Sequence, residues 1–327
     1  MLFRRVLTTL LLLGAVGAAI SVFAARRADV REAGIEARNP PEGQIVTVEG
    51  REVHVVVRGN GPDIVLIHGA GGSSRDFTFD LADRLAGSYR VFVVDRPGFG
   101  WSERVTDNLE GPWTTTSESP LEQARHLADA VRQLGAERPI VLGHSFGGAV
   151  AMAWALEASP AGVVILSGAT MPWPGGIDWT YRVLGSLPGG AALPPLVSAF
   201  LPRDYVDGTL EAVFRPQPVP DGYLNRAGVL MATRTATLRA NARQVAALRP
   251  HVVEMSERYG SVNVPVEILH GTADNTVYAE VHAEPLAGLL PNATLTLLDG
   301  IGHMPHHSVP GDVIAAIDRV ASRAGLR

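Results

Sequence analysis

Gly143-His144-Ser145-Phe146-Gly147 is the stretch whose residue types and spacing point most directly to chemistry. The serine lies between two glycines, after the apolar run PIVLG and before the helical pattern FGGAVAMAWALEA. That context predicts a sharp strand-to-helix turn, which strains the serine backbone and presents its hydroxyl. A serine hydroxyl is a weak nucleophile unless a base stands within hydrogen-bond reach. The expected base is His303, in the glycine-flanked loop Asp299-Gly300-Ile301-Gly302-His303 after the strand pattern TLTLLD. An acid must fix the tautomer of that histidine and stabilise its imidazolium. Asp274 is the expected acid, just past the preceding strand in Ile268-Leu269-His270-Gly271-Thr272-Ala273-Asp274, with Asp178 as its rival.

Attack on a carbonyl also needs donors for the oxyanion. The N–H of Phe146, first residue of the helix after the serine, is one candidate. The N–H of Ala70, in His68-Gly69-Ala70-Gly71-Gly72 after an earlier strand, is the other. His68 is expected to hold that loop and His144 to pack beneath the serine turn. Asp95, in a glycine-rich turn, reads as structural. His303, His306 and His307 invite a metal reading. Their close spacing in a proline-containing loop fits a metal poorly, and no carboxylate cluster sits near them in sequence, so no metal is expected.

The elements that must position these groups are short and apolar. Ile64–Ile67, Val91–Val94, Ile140–Leu142, Val163–Leu166, Val266–Leu269 and Thr294–Leu298 alternate with helical patterns. Such runs predict a parallel sheet buried on both faces. IVTVEG and REVHVVVRG alternate around Gly50 and predict a hairpin ahead of it. Ser119, Pro120 and Glu122 form the start signal of a helix, and Gly135 its stop. Residues 169–262 break the alternation with the proline- and glycine-rich stretches MPWPGG, LPGGAALPP and RPQPVPDG. An insertion of that size predicts helices and a function of its own. Its first half is apolar, from Trp173 and Trp179 to Phe200, which suits lid packing and a pocket for an apolar acyl or aryl group. Arg226, Arg234, Arg239 and Arg243 are expected to form a solvated face rather than an anion site.

Composition narrows the chemistry. Of 327 residues, 46% are hydrophobic and 19% charged, as in an ordinary globular enzyme. A net charge of −5 gives no reason to expect nucleic acid. There is no cysteine, hence no disulfide, thiol nucleophile or thiolate metal site. All 28 basic residues are arginine, which excludes a P-loop and a Schiff-base lysine. Val6 to Ala25 is uncharged and flanked by Arg4, Arg5, Arg26 and Arg27. About 20 residues suffice to span a bilayer core. Residues 1–25 are therefore expected to be a membrane anchor, with a cleaved secretory signal as the alternative. Residues 26–43 read as a linker.

Together the stretches IVLIHGAGGSSRDF, VFVVDRPGFGWSER, IVLGHSFGGAVAMAWAL, VEILHGTADNTV and LLDGIGHMPHH resemble α/β-hydrolase fold proteins that bear a cap. The resemblance covers residues 44 to 325. It implies a doubly wound, mostly parallel sheet built from residues 44–168 and 263–327, with a helical lid from residues 169–262. It implies the chain order Ser, Asp, His for the three catalytic groups, a small-molecule substrate and no cofactor. Epoxide hydrolases and dehalogenases of this fold use aspartate where Ser145 stands, so both are set aside; of the remaining reactions, which the motifs do not separate, carboxylic-ester hydrolysis is the expected one. C–C bond hydrolysis, perhydrolysis and acyl transfer use the same groups, and a non-catalytic binding protein is the remaining alternative. The expected location is the bacterial inner membrane, with one membrane pass and the enzyme on the periplasmic side, or secretion after signal cleavage.

Overall fold

The computed structural model describes residues 2–327. Eight strands form one sheet: β1 Gln44–Val48, β2 Arg51–Arg58, β3 Asp63–Ile67, β4 Arg90–Val94, β5 Ile140–His144, β6 Gly162–Leu166, β7 Val266–Gly271 and β8 Ala293–Leu298. Their spatial order is β1-β2-β4-β3-β5-β6-β7-β8. The predicted hairpin pairs β1 with β2, and Glu49 and Gly50 both take positive φ (50° and 79°) to close it. From β4 to β8 every pairing is parallel. β3, β5 and β6 carry almost no exposed side chain, the pattern of strands covered on both faces.

The longer helices are α1 Leu2–Arg38, α2 Pro120–Gln133, α3 Phe146–Glu157, α4 Trp179–Gly185, α5 Leu187–Phe200, α6 Arg203–Phe214, α7 Thr235–Ser256, α8 Ala279–Leu289 and α9 Pro310–Arg323. Helices α2, α3 and α8 pack on one face of the sheet with Trp154 and Phe146, and α9 on the other with Tyr89 and Phe77. The capping box before α2 is formed: Ser119 Oγ accepts from Glu122 N, and the Glu122 carboxylate accepts from Ser119 N.

Two expectations are corrected. The linker over residues 26–43 is not one, because α1 continues without a break to Arg38. Ala24, Ala28 and Ile35 share one buried face of it. Arg27 Nε donates to the Ala199 carbonyl (3.0 Å), and the Arg31 guanidinium donates to the Ser198 carbonyl. Glu32 accepts from Ser198 Oγ (2.6 Å) and Thr235 N (2.9 Å), and Glu36 pairs with Arg234 (2.9 Å). The charges that suggest a solvated linker are therefore consumed by α5 and the start of α7. The helix ends only where Asn39-Pro40-Pro41 forbids it. Second, LPGGAALPP is not a break but the body of α5. Pro188 sits in its first turn, Ser186 caps Gly189 N (3.2 Å), and Gly189 lies so close to Val183 that a Cβ would meet its carbonyl oxygen at 1.9 Å.

Candidate active site

Ser145 is the hinge between β5 and α3. Its backbone sits at φ 54°, ψ −119°, a region that non-glycine residues enter only when the surroundings force them. The surroundings here are the two flanking glycines. A Cβ on Gly143 would meet the Gly147 carbonyl oxygen at 2.1 Å, and one on Gly147 would meet that of Ile67 at 2.2 Å. The strand and helix can close on the serine only because neither residue has a side chain.

His303 lies in the loop after β8, and its Nδ1 donates to Asp274 Oδ2 at 2.7 Å. The other oxygen of Asp274 accepts from the amides of Thr276 (2.8 Å) and Val277 (2.9 Å). Burial alone would raise the Asp274 pKa. Hydrogen bonds from His270 and His303 outweigh it and hold the carboxyl well below the usual range. Asp178, the rival acid, caps α4 on the surface by accepting from Thr180 N. Ser145 and His303 line one cavity of about 330 Å³. Ala70 lines it as well, and neither the Ala70 nor the Phe146 amide donates to another group among the described residues.

The groups beneath the cavity do more than the sequence suggests. His144 Nε2 donates to the carbonyl of His303 itself (2.8 Å), and its ring lies 4.8 Å from the His303 ring. His68 Nδ1 donates to the Gly69 carbonyl (2.8 Å) while its Nε2 accepts from Arg96 N (3.0 Å), as expected of a histidine holding the Ala70 loop. Asp95 accepts from His54 Nδ1, Ser74 N and Trp101 N, a structural role.

Arg96 carries no signal in the sequence beyond its glycine-rich turn. It is fully buried, donates to the Gly69 carbonyl (3.1 Å), Gln123 (3.1 Å) and Gln244 (2.9 Å), and lies 4.2 Å over the Phe146 ring. One side chain thus ties both amide-bearing segments to α7. Asn241, also on α7, accepts from Gly71 N (3.1 Å).

No carboxylate cluster lies near His306 and His307 in sequence, but the fold brings one distant carboxylate, Asp76, to both. Asp76 accepts from both (3.2 and 2.8 Å) and from Tyr223 Oη (2.6 Å). These donors form a closed hydrogen-bonded set with its carboxylate. His303 stays outside it, bonded to Asp274. Of the four arginines expected on a solvated face, Arg226 is exposed, but Arg234, Arg239 and Arg243 turn inward. Arg239 and Arg243 donate to backbone carbonyls of Gly190 and Gly111, and Arg234 donates to Gly100.

Burial pushes the imidazoles of His68, His282 and His306 down to about 4. An unfolded chain takes up these protons near the ordinary value of about 6.5. The folded form resists them, so the contribution to stability is full above that value and is lost as pH falls toward about 4. The melting temperature of the full chain is therefore expected to be highest near neutrality and to fall steeply across this window. A melting temperature unchanged between pH 7.5 and pH 5 would contradict the buried neutral imidazoles.

Comparison with known proteins agrees with this architecture. Residues 64–317 match the model of the alpha/beta hydrolase family. The magnesium-chelatase 30 kDa subunit of Rhodobacter capsulatus is 30% identical over 254 residues, covering 76% of this chain and 82% of the relative. The pimeloyl-[acyl-carrier protein] methyl ester esterase of Nitrosomonas europaea is 27% identical over 273 residues, 81% of this chain and 98% of the relative. A solved membrane phospholipase A, a bacterial virulence factor, superposes with a TM-score of 0.64 at 22% identity, over 97% of this chain and 99% of that one. The fold, the turn at Ser145 and the match over most of the chain lead to one conclusion: this protein belongs to the alpha/beta hydrolase family.

Proposed function

We propose that the chain is a serine hydrolase of carboxylic esters with an apolar acyl or aryl group. The observation that carries this is the strained Ser145 in one cavity with a His303 whose Nδ1 is held by Asp274. Ser145 Oγ attacks the ester carbonyl while His303 Nε2 takes its proton. Asp274 keeps the Nδ1 proton in place and stabilises the imidazolium. The carbonyl oxygen, now negative, is received by the free amides of Ala70 and Phe146. His303 returns the proton to the alkoxide, the alcohol leaves, and the acyl group stays on Ser145. A water molecule, deprotonated by the same histidine, then releases the acid. No cofactor enters this scheme.

The segment of residues 169–262 serves as the lid. Tyr181, Leu201, Val206 and Phe214 from it line the cavity over Ser145, and their apolar surface supports an apolar acyl or aryl group. The apolar part of α1 is long enough to cross a membrane. We infer that it anchors the enzyme by a single pass, with the catalytic domain on the periplasmic side. The esterase named among the relatives supports ester chemistry.

The direct test is labelling of the purified full chain with a fluorescent fluorophosphonate, followed by a panel of p-nitrophenyl esters of graded chain length. Covalent labelling and turnover that improves from acetate to longer acyl chains are the expected results. A folded wild-type chain that takes no label and hydrolyses no ester would overturn the reading.

A further inference from the structure

We propose that the face of α4 and α5 beside the cavity mouth lies in the membrane interface, so that the site takes its ester directly from the bilayer. This rests on the ester-hydrolase reading above for the chemistry, but not for the docking. The substrate class it assigns is a long-chain acyl ester resident in the lipid.

The placement follows from α1. Residues 2–25 of this helix rise about 36 Å at about 1.5 Å per residue, enough for a hydrocarbon core of about 30 Å. The globular part does not begin below that span; it already touches its last turns. Ala24 is buried against the protein, and the Phe23 ring lies 6.3 Å from that of Phe200 at the end of α5. Arg27, the second charge after the apolar run, stacks on the same Phe200 ring at 5.1 Å. Since α1 is one unbroken helix pinned by Arg27, Arg31, Glu32 and Glu36, the depth of α5 relative to the bilayer is fixed.

Besides Phe200 at that depth, α4, the start of α5 and the start of α6 leave other large apolar groups exposed. Trp179 is 64% exposed, Leu187 46%, Phe200 49% and Tyr205 63%. Such a surface is unfavourable in water. Tryptophan and tyrosine favour a membrane boundary, and phenylalanine and leucine the apolar face of a helix lying in it. Helices α4 and α5 meet at 103° and are together apolar enough to pass as a broken membrane span, a composition suited to lying in the interface. Leu201, next to Phe200 in sequence, lines the cavity over Ser145, as do Tyr205 and, from α4, Tyr181. An acyl chain entering there from the bilayer would meet the apolar lining residues Leu201 and Val206 before Ser145. A second copy of the chain and a soluble protein are the other occupants such a face would admit. The continuity with the membrane span selects lipid.

Two measurements on the full chain, reconstituted in vesicles of phosphatidylethanolamine and phosphatidylglycerol, test this. In vesicles carrying bromine-labelled acyl chains, tryptophan fluorescence is expected to be quenched, with a distinct share of the quenching lost in Trp179→Phe. Equal quenching in both proteins overturns the docking and leaves a second copy or a soluble partner as the occupant. The double variant Trp179→Glu, Leu187→Glu alters no residue that lines the cavity. It is expected to hydrolyse p-nitrophenyl palmitate embedded in vesicles roughly tenfold more slowly than wild type, while its rate on dissolved p-nitrophenyl butyrate stays within about twofold. Unchanged rates on both esters, or an equal fall on both, overturn the delivery route. If wild type hydrolyses neither ester, the ester-hydrolase reading fails and the quenching result still decides the docking.

Discussion

Ser145→Ala is expected to lower kcat on p-nitrophenyl butyrate by about 10⁶-fold, the scale seen when the nucleophile of such a triad is removed. The effect is large because nothing else in the cavity replaces the hydroxyl. Ser73 also lines the cavity, but it sits on the Ala70 loop and not at the turn between β5 and α3. The fold is expected to survive. Ser145 Oγ makes no hydrogen bond within the described protein, so truncating it leaves no buried partner unsatisfied. Alanine must still occupy the φ 54° position, a strain the wild type already bears. Circular dichroism melting, run beside the kinetics, separates the two effects. A variant that melts like the wild type and keeps even a hundredth of its rate would remove Ser145 from the mechanism.

The residues at the centre of this site were legible because their constraints are local. G-x-S-x-G is forced by close approaches between positions next to each other in sequence or on adjacent strands, such as Gly147 against Ile67. The parallel sheet was legible because strands buried on both faces have nowhere to put a polar residue. What escaped depends on partners far away in sequence. The charges of residues 26–38 look like a linker until Ser198, Thr235 and Arg234 are placed beside them. Asp76 meets His306 and His307 across 230 residues, and no periodicity announces that meeting. Arg96 reads as part of a glycine turn, yet it joins Gly69, Phe146 and α7. Proline misled in α5, because Pro188 is tolerated in a first turn while Pro194 and Pro195 each cost the helix an internal donor. The helix persists through its packing on α1 rather than through propensity.

The tautomer of His303 sets the second large effect. Asp274→Asn is expected to lower kcat and kcat/KM together by about 10³–10⁴-fold, with KM little changed. The local hydrogen bonds say why a nearly isosteric change is so costly. One Asp274 oxygen is held by two backbone donors, Thr276 N and Val277 N. An asparagine must turn its carbonyl to those donors, which aims its NH₂ at His303 Nδ1, where the wild type has an acceptor. His303 then has to present a lone pair at Nδ1 and carry its proton on Nε2, the nitrogen that should accept from Ser145. The base is present but protonated on the wrong side. His144, which holds the His303 carbonyl rather than its ring, does not correct this. Asp178→Asn provides the contrast: it alters only the exposed cap of α4 and is expected to leave both constants within about twofold. Kinetics of the two variants on p-nitrophenyl butyrate decide the assignment. A loss under tenfold for Asp274→Asn would mean that His303 does not depend on this carboxylate, and an equal loss for Asp178→Asn would move the acid to the lid.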